Sequence, residues 1–246
     1  SDVGTQMKSS GDKINKVLGG IGVAAGAVAT KSLGAFRDFE TGMNEVFTLL
    51  PGTTQEAFDQ INTDVLKLAK EIGKLPEDII PALYDSLSAG IPPDNVFAFL
   101  ETANKLAVGG ATELGIAVDG LTTVVNAFGS DVISVGEASD LIFTAVKGGK
   151  TTVDQLSSAM FNVAPIAAAM GIEFGNVTAA VATLTASGTP TSVAMTQIKS
   201  TLSELSKPTS KLSKLFMDLT GKSFTEFIAS GGDLKKGFDI IKKGAE

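Results

Sequence analysis

The residues of this sequence that could do chemistry are few, and their spacing forms no recognisable catalytic or metal site. The chain has 246 residues with no histidine and no cysteine, which excludes imidazole acid–base catalysis, thiolate metal sites and disulfides. The segment Gly149-Lys150-Thr151 has the ending of a phosphate-binding loop. However, the first glycine of such a loop would fall at Thr144, and a helical pattern rather than a strand precedes it. We therefore predict no catalytic, cofactor-binding or metal-binding residue.

Composition narrows the functional classes further. At 43% hydrophobic residues the chain can bury a substantial core. It has 27 acidic and 20 basic residues, no tryptophan and one tyrosine, so stable binding to nucleic acid is not expected. The first residue is serine, and a helix-like pattern runs to the last residues. We expect a fragment of a longer protein.

Helical patterns run through nearly the whole sequence. Apolar residues recur at three- and four-residue spacing, the stripes begin after Ser or Thr caps and end at glycines, and no segment alternates strictly. We predict an all-α fold of about ten or eleven short-to-medium helices. The sequence divides into an N-terminal Gly/Ala-rich and apolar helix (1–52), a helical core (53–208) and C-terminal helices (209–246).

One helical turn occurs twice, at an offset of 81 residues. In each copy a glycine is expected to take the left-handed conformation that ends a helix. The pattern predicts a duplicated helical hairpin unit over 76–128 and 152–205, with a chance match of four residues as the alternative. The repeated pairs are Gly90 and Gly171, Ile91 and Ile172, Asn95 and Asn176, and Val96 and Val177.

The N-terminal helix combines two surfaces that could bind another helix. Gly22 and Gly26, four residues apart, would allow two helices to approach closely. The uncharged run between Lys16 and Lys31 has 14 residues, fewer than the roughly 20 of a transmembrane helix. A bulky apolar stripe then follows, made of Phe36, Phe39, Met43, Phe47 and Leu50. We predict self-association through both surfaces. The alternatives are that the stripe packs on the 53–110 helices of its own chain, or that the glycine-rich segment enters a membrane.

Six segments spread over roughly 36–208 carry a further pattern. They are Phe39-Glu40-x-x-Met43-x-x-Val46, Leu68-Ala69-x-x-Ile72-Gly73, Ala82-Leu83-Tyr84-x-x-Leu87-x-Ala89-Gly90, Asn126-Ala127-Phe128-Gly129, Gly149-Lys150-Thr151-Thr152-x-x-Gln155-Leu156, and Gly188-x5-Ala194-x-Thr196-x-Ile198-x3-Leu202-x2-Leu205-x2-Pro208. In this order and spacing they resemble the core region of phage tail tape measure proteins. The family usually has a glycine where this chain has Met195.

The resemblance implies a structural, non-enzymatic component of a viral tail. Members of that family lie in the lumen of the tail tube or at the tail tip of the virion, set tail length during assembly, and leave ahead of the genome at infection. The implied partners are further copies of the chain (three favoured, six the alternative), the tail tube protein, tail tip or baseplate hub proteins, and a tail assembly chaperone. The host membrane is a further candidate partner during ejection. A membrane-active or pore-forming helical protein is the alternative function, with a helical enzyme domain as a third class.

Overall fold

The computed structural model describes the backbone of residues 28–245 and the side chains of residues 37–244. Within these residues the chain forms thirteen α-helices and no β-strand, and eleven of the helices have seven residues or more. The predicted all-α class is confirmed. The helices are α1 (Val28–Thr48), α2 (Gln55–Ile72), α3 (Pro76–Ser88), α4 (Val96–Gly110), α5 (Leu114–Phe128), α6 (Val135–Gly148), α7 (Val153–Met160), α8 (Ala164–Ala169), α9 (Phe174–Ala186), α10 (Thr191–Leu205), α11 (Lys211–Thr220), α12 (Phe224–Ala229) and α13 (Leu234–Ala245).

Hydroxyl side chains begin several helices by capping free backbone N–H groups. Ser134, Thr152 and Ser223 each accept a hydrogen bond from the backbone N–H three residues later, at 3.2 to 3.3 Å. The spacing Thr53-x-x-Glu56 predicts Thr53 as the cap of α2, but the structure has Thr54 as the cap, one residue later. For these four helices the spacing predicts the start to within one residue.

A reciprocal capping box forms at the start of α12. The Glu226 carboxylate accepts a hydrogen bond from the backbone N–H of Ser223 at 2.8 Å. This bond, helped by a second one from the Ser223 hydroxyl, lowers the pKa of Glu226. Because the folded state lowers this pKa, the stabilisation is present above the usual glutamate pKa and is lost as pH falls through the lowered value.

The helices form two three-helix units joined by α6. In the first unit α3, α4 and α5 contact one another; in the second, α9 and α10 contact each other and α7 and α8 together take the place of α3. Helix α6 packs on α4 and on α9, which are corresponding helices, while α5 packs on α7 and α8. The N-terminal helix α1 packs on α3, and α11 and α13 pack beside α10 and α9.

A continuous hydrophobic cluster extends from Phe39 in α1 to Leu234 in α13. It includes fully buried side chains from both units, such as Leu83, Leu121 and Met160. The described parts of 1–52, 53–208 and 209–246 therefore share one core, and the division into these three segments stays a prediction.

The repeated turn has the same backbone geometry in both units. Gly90 has a φ of +92° and Gly171 a φ of +70°. The N–H of Ile91 donates to the carbonyl five residues back at 3.0 Å, and that of Ile172 does so at 2.9 Å. Both isoleucines are buried, and so are Val96 and Val177; Asn95 is exposed and Asn176 is half-buried.

The turn by itself does not demonstrate a duplication, because the same helix ending occurs elsewhere in the chain. Gly73, Gly188 and Gly231 also have positive φ, and each is followed by an N–H that donates to the carbonyl five residues back. The first arms also differ: α3 is continuous, whereas the second arm breaks at 161–163. Pro165 lies in the first turn of α8, where its missing N–H favours a new helix start. The equivalent helix pairings of the two units are the stronger argument, and common descent stays a prediction.

Replacing Gly90 with alanine should lower the free energy of unfolding by about 1–2 kcal/mol, because a left-handed conformation is costly for an L-residue. An added Cβ would meet nothing within 4 Å, so collision does not contribute. Gly115, in the first turn of α5, has equally open space and no positive φ, and alanine there should be neutral or stabilising. Urea unfolding of the two variants measures the difference. If both substitutions changed the free energy of unfolding equally, the positive φ of Gly90 would not contribute to the stability change.

Candidate functional site

The Gly149-Lys150-Thr151 segment lies between α6 and α7 and serves as a packing contact. A Cβ added to Gly149 would lie 2.9 Å from the Cα of Ala182 and would also collide with the Thr185 hydroxyl. The absence of a side chain therefore lets the end of α6 approach α9. Lys150 is exposed, and the preceding element is a helix rather than the strand that a phosphate-binding loop requires.

Two segments that carry the sequence resemblance meet at the start of α10. The Thr191 hydroxyl lies 2.7 Å from Thr151 Oγ1 and 3.0 Å from Gln155 Oε1, and it can donate to either oxygen. Thr191 is 96% buried (4% exposed), so this cluster fixes α10 against the beginning of α7. Neutral hydroxyl and amide groups of this kind position helices; they supply no general acid or base near neutral pH.

Beside this cluster lies an open groove of about 650 Å³, which we call the α7–α10 groove. Its lining includes hydroxyl and amide groups, the charged side chains of Lys150 and Asp154, and an aromatic ring, Phe161, which is 63% exposed. Lys199 donates a hydrogen bond to Asn162 at 3.3 Å on its rim. The described residues contain no cluster of three or more carboxylates that could hold a metal ion.

A second groove, which we call the turn groove, lies at the first copy of the repeated turn and measures about 640 Å³. It separates the α3–α4 turn from the α5–α6 connection. The amide of Asn126 joins the two sides by donating to the carbonyl of Ala89 at 2.8 Å. Apolar lining residues include Ile91, Phe99 and Ile133. These three side chains are almost fully buried and belong to the hydrophobic cluster, and the rest of the lining includes hydroxyl and amide groups.

Charge is distributed very unevenly along the chain. Residues 75–146 contain ten carboxylates and one lysine, whereas residues 199–243 contain nine lysines and five carboxylates. All of these carboxylates in 75–146 and all of these lysines in 199–243 are exposed. Sequence reasoning missed this feature because it used only the total charge. Counting charge by segment would have found it.

The predicted self-association residues lie partly outside the described residues. This applies to Gly22 and Gly26, and to the side chain of Phe36. The next two members of the apolar stripe, Phe39 and Met43, are only 8% and 1% exposed. They are covered by their own chain, as the alternative interpretation expected.

The remaining stripe residues also face neighbours in the same chain or are partly covered. The ring of Phe47 stacks on Phe58 with the ring centroids 3.6 Å apart, and Leu50 is half-buried. A Cβ on Gly42 would lie 2.8 Å from the Ile80 side chain, so α1 and α3 are in close contact. Self-association through Gly22 and Gly26 stays a prediction.

Among the described residues, no single helix is both long and apolar enough to cross a bilayer. The segments Pro93–Gly110 and Leu114–Phe128 reach that length and composition only as a pair, and they are bent by 117°. Both helices contribute fully buried side chains to the core, including Leu100 and Leu121.

Comparison with known proteins shows which protein family the chain belongs to. The family model described as phage-related minor tail protein matches residues 62–246, well over half of the chain. The chain belongs to this family. Among curated relatives, the probable tape measure protein of Clostridium phage phiCD119 is 32% identical over 92% of this chain. The tape measure protein of Pneumococcus phage Dp-1 is 22% identical over 80% of it.

These relatives are much longer than the chain, which spans 25% of the first and 17% of the second. No solved structure matches the chain significantly. The resemblance to tape measure proteins drawn from the sequence is confirmed, and the family is a structural one of phage tails. The pore-forming alternative is not supported by these comparisons.

Proposed function

We propose that this chain is a folded helical module of a tape measure protein, the component that sets the length of a phage tail during assembly. The observation that carries the proposal is the 32% sequence identity between this chain and a probable tape measure protein over 92% of this chain. The geometry is in accord with a structural role, because hydroxyl, amide and apolar groups make up most of the lining of the two grooves, and Lys150 and Asp154 are the ionisable lining residues. No catalytic activity is part of this proposal.

Within such a protein, this module is not the measuring part. An α-helix rises about 1.5 Å per residue, so a ruler needs an extended helix. The longest described helix, α1, has 21 residues and spans only about 30 Å at that rise. The other helices pack back on one another around a shared core. We place the measuring segment in the part of the relatives that this chain does not match.

The module would lie in the virion, in the lumen of the tail tube or at the tail tip, and would leave ahead of the genome at infection. Its partners would be the tail tube protein, tail tip or baseplate hub proteins, a tail assembly chaperone and further copies of the chain, three being favoured and six the alternative. Contact with the host membrane would occur during ejection. The exposed α7–α10 groove and turn groove, which its own helices leave uncovered, support binding to such partners.

Tail length tests the proposal directly. In a phage that carries the complete gene, in-frame deletions in a long helical segment outside residues 1–246 should shorten the tail by about 1.5 Å per residue. Electron micrographs of purified tails give the lengths. A deletion series that leaves tail length unchanged would remove the ruler function.

A further inference from the structure

We propose that the α7–α10 groove binds an extended, proline-rich segment of a partner protein and holds it through the backbone carbonyl oxygens of that segment. The inference rests on the part of the proposed function that gives this chain protein partners, and it names the chemistry that one of them presents. Three features of the groove carry it: two amide groups with free N–H donors, an exposed aromatic ring, and an uncharged continuation along α10.

Two side-chain amides that line the groove are each held by their oxygen atom. Asn162 Oδ1 accepts a hydrogen bond from the Lys199 ammonium at 3.3 Å. Because an ammonium group can only donate, this bond fixes which end of the Asn162 amide is the oxygen. Gln155 Oε1 lies 3.0 Å from the Thr191 hydroxyl. Among the described residues neither amide nitrogen has a partner within the chain, so both N–H2 groups are left for a ligand that offers acceptors.

The spacing of the two amides fits the polyproline II conformation. Gln155 is in α7, and Asn162 comes seven residues later, just beyond the end of that helix. At a rise of 1.5 Å per residue they are about 10 Å apart. A polyproline II chain has three residues per turn and advances about 3.1 Å per residue, so the carbonyls on one side of it recur about every 9 Å. Prolines have no N–H, so the backbone of such a segment presents only acceptors.

Phe161 provides the apolar contact that a proline ring needs. It lies next to Asn162 in the sequence, lines the same groove and is 63% exposed. Proline-rich segments bind grooves lined by aromatic side chains, because their preformed conformation loses little entropy on binding. The groove therefore combines an aromatic surface with N–H donors, which are the two groups that recognise prolines and their carbonyl oxygens.

The groove continues along the outer face of α10 as a second depression of about 440 Å³. Ser192 and Thr196 line both depressions. The rest of the second lining consists of hydroxyl and amide groups and of Val193, which is 44% exposed. An elongated surface of this kind fits an extended segment better than a compact ligand.

The charge of the groove favours a neutral ligand. Its ionisable lining residues, Lys150 and Asp154, have opposite sign, and the continuation on α10 has no charged lining residue. A nucleic acid would need an excess of positive charge. Neutral sugars are the competing ligand, because their hydroxyl groups also bind amides. Hydroxyl groups donate as well as accept, however, whereas proline carbonyls only accept.

A peptide of about ten prolines is the probe, and a peptide of alternating glycine and serine of the same length is its flexible control. Titration into isotope-labelled protein, followed by NMR, should shift the backbone amide signals of the lining residues with the proline peptide. The control peptide should leave these signals unchanged. Because the ligand is neutral, binding should be the same at low salt and at about 1 M salt.

Isosteric acids at the two amide positions test the donors themselves. Gln155→Glu and Asn162→Asp each keep the oxygen that accepts a hydrogen bond within the chain and replace the N–H2 group with a second oxygen. A carboxylate cannot donate to a proline carbonyl, so each variant should bind the proline peptide about tenfold more weakly or worse. Phe161→Ala should weaken binding by about tenfold. Asn44→Asp makes the same change at an exposed position of α1 that does not line the groove, and it should leave binding unchanged.

Urea unfolding should give the same stability for all four variants, because none of the substituted side chains is fully buried. A native chain that does not bind the proline peptide would overturn the inference, as would equal binding by the native chain and the three groove variants. Binding of maltotetraose that the two acidic variants retain would assign the groove to neutral sugars and would also overturn it. None of these results depends on tail length, so the proposed function can survive the failure of this inference.

Discussion

The double substitution Phe39→Glu and Met43→Glu should unfold the protein, with a loss of more than about 4 kcal/mol of stability. Both side chains lie in the core, at 8% and 1% exposure. Truncating one buried methionine alone costs about 2–5 kcal/mol. A carboxylate in the same place must also be desolvated or protonated, which adds to the cost. Circular dichroism and urea unfolding should show a large loss of helix at neutral pH.

The matched control for this variant uses the solvent-exposed positions of the same helix. Thr41→Glu with Asn44→Glu adds the same two charges to α1 where both side chains are exposed, and it should change stability by less than about 0.5 kcal/mol. If instead the Phe39 and Met43 variant released soluble, fully helical monomers from an oligomer, the stripe would be a seam between copies. The packing of α1 on α3 within one chain would then be wrong.

Replacing Gly149 with alanine should destabilise the protein by about 1–3 kcal/mol, the usual cost of overpacking a tight contact. The added Cβ would lie 2.9 Å from the Cα of Ala182 and 3.0 Å from the carbonyl oxygen of Ala145. These are backbone atoms, which cannot rotate away as a side chain can. Because the φ of Gly149 is −114°, a conformation open to any residue, the loss would report collision with α9 and with the last turn of α6 rather than backbone strain.

The preceding residue provides the control. A Cβ at Gly148 would meet only the Cβ of Ala182, at an ordinary 3.9 Å. Gly148→Ala should therefore be neutral or stabilising, since alanine is the better helix former. Urea denaturation of the two single variants gives both values. A Gly149 variant as stable as the Gly148 variant would show that α6 and α9 do not approach so closely.

Several helix starts and ends of this fold could be predicted from the sequence, because they depend on interactions within a few residues. Caps at Ser134, Thr152 and Ser223 and the glycine endings at Gly90 and Gly171 follow from side-chain hydrogen bonding and from φ preference. The break between α7 and α8 was not predicted. The apolar spacing continues across it, and spacing alone does not report where the backbone turns.

The surface against which an apolar stripe packs could not be predicted from the sequence. An apolar stripe such as Phe39 and Met43 has the same pattern whether it packs on its own chain or on another copy. Burial against α3 distinguishes the two, and burial is a property of the folded chain. In the same way, the contact of Gly149 with α9 joins residues that are distant in sequence, so the sequence pattern of this segment does not predict it.

The charged surfaces could have been predicted in part. The excess of carboxylates in 75–146 and of lysines in 199–243 is visible in the sequence. What the sequence does not contain is that the amide of Asn126 donates to the carbonyl of Ala89 and so joins α5 to the α3–α4 turn.

Tail length after an insertion into this module tests the central claim most directly, because a folded module and a ruler respond differently. About 60 helix-forming residues added to a long helical segment elsewhere in the complete protein should lengthen the tail by about 90 Å. The same number of flexible residues inserted at the exposed turn between Gly52 and Thr53 should leave tail length unchanged in electron micrographs. Tails that lengthen equally after both insertions would contradict the assignment of this chain as a folded, non-measuring module.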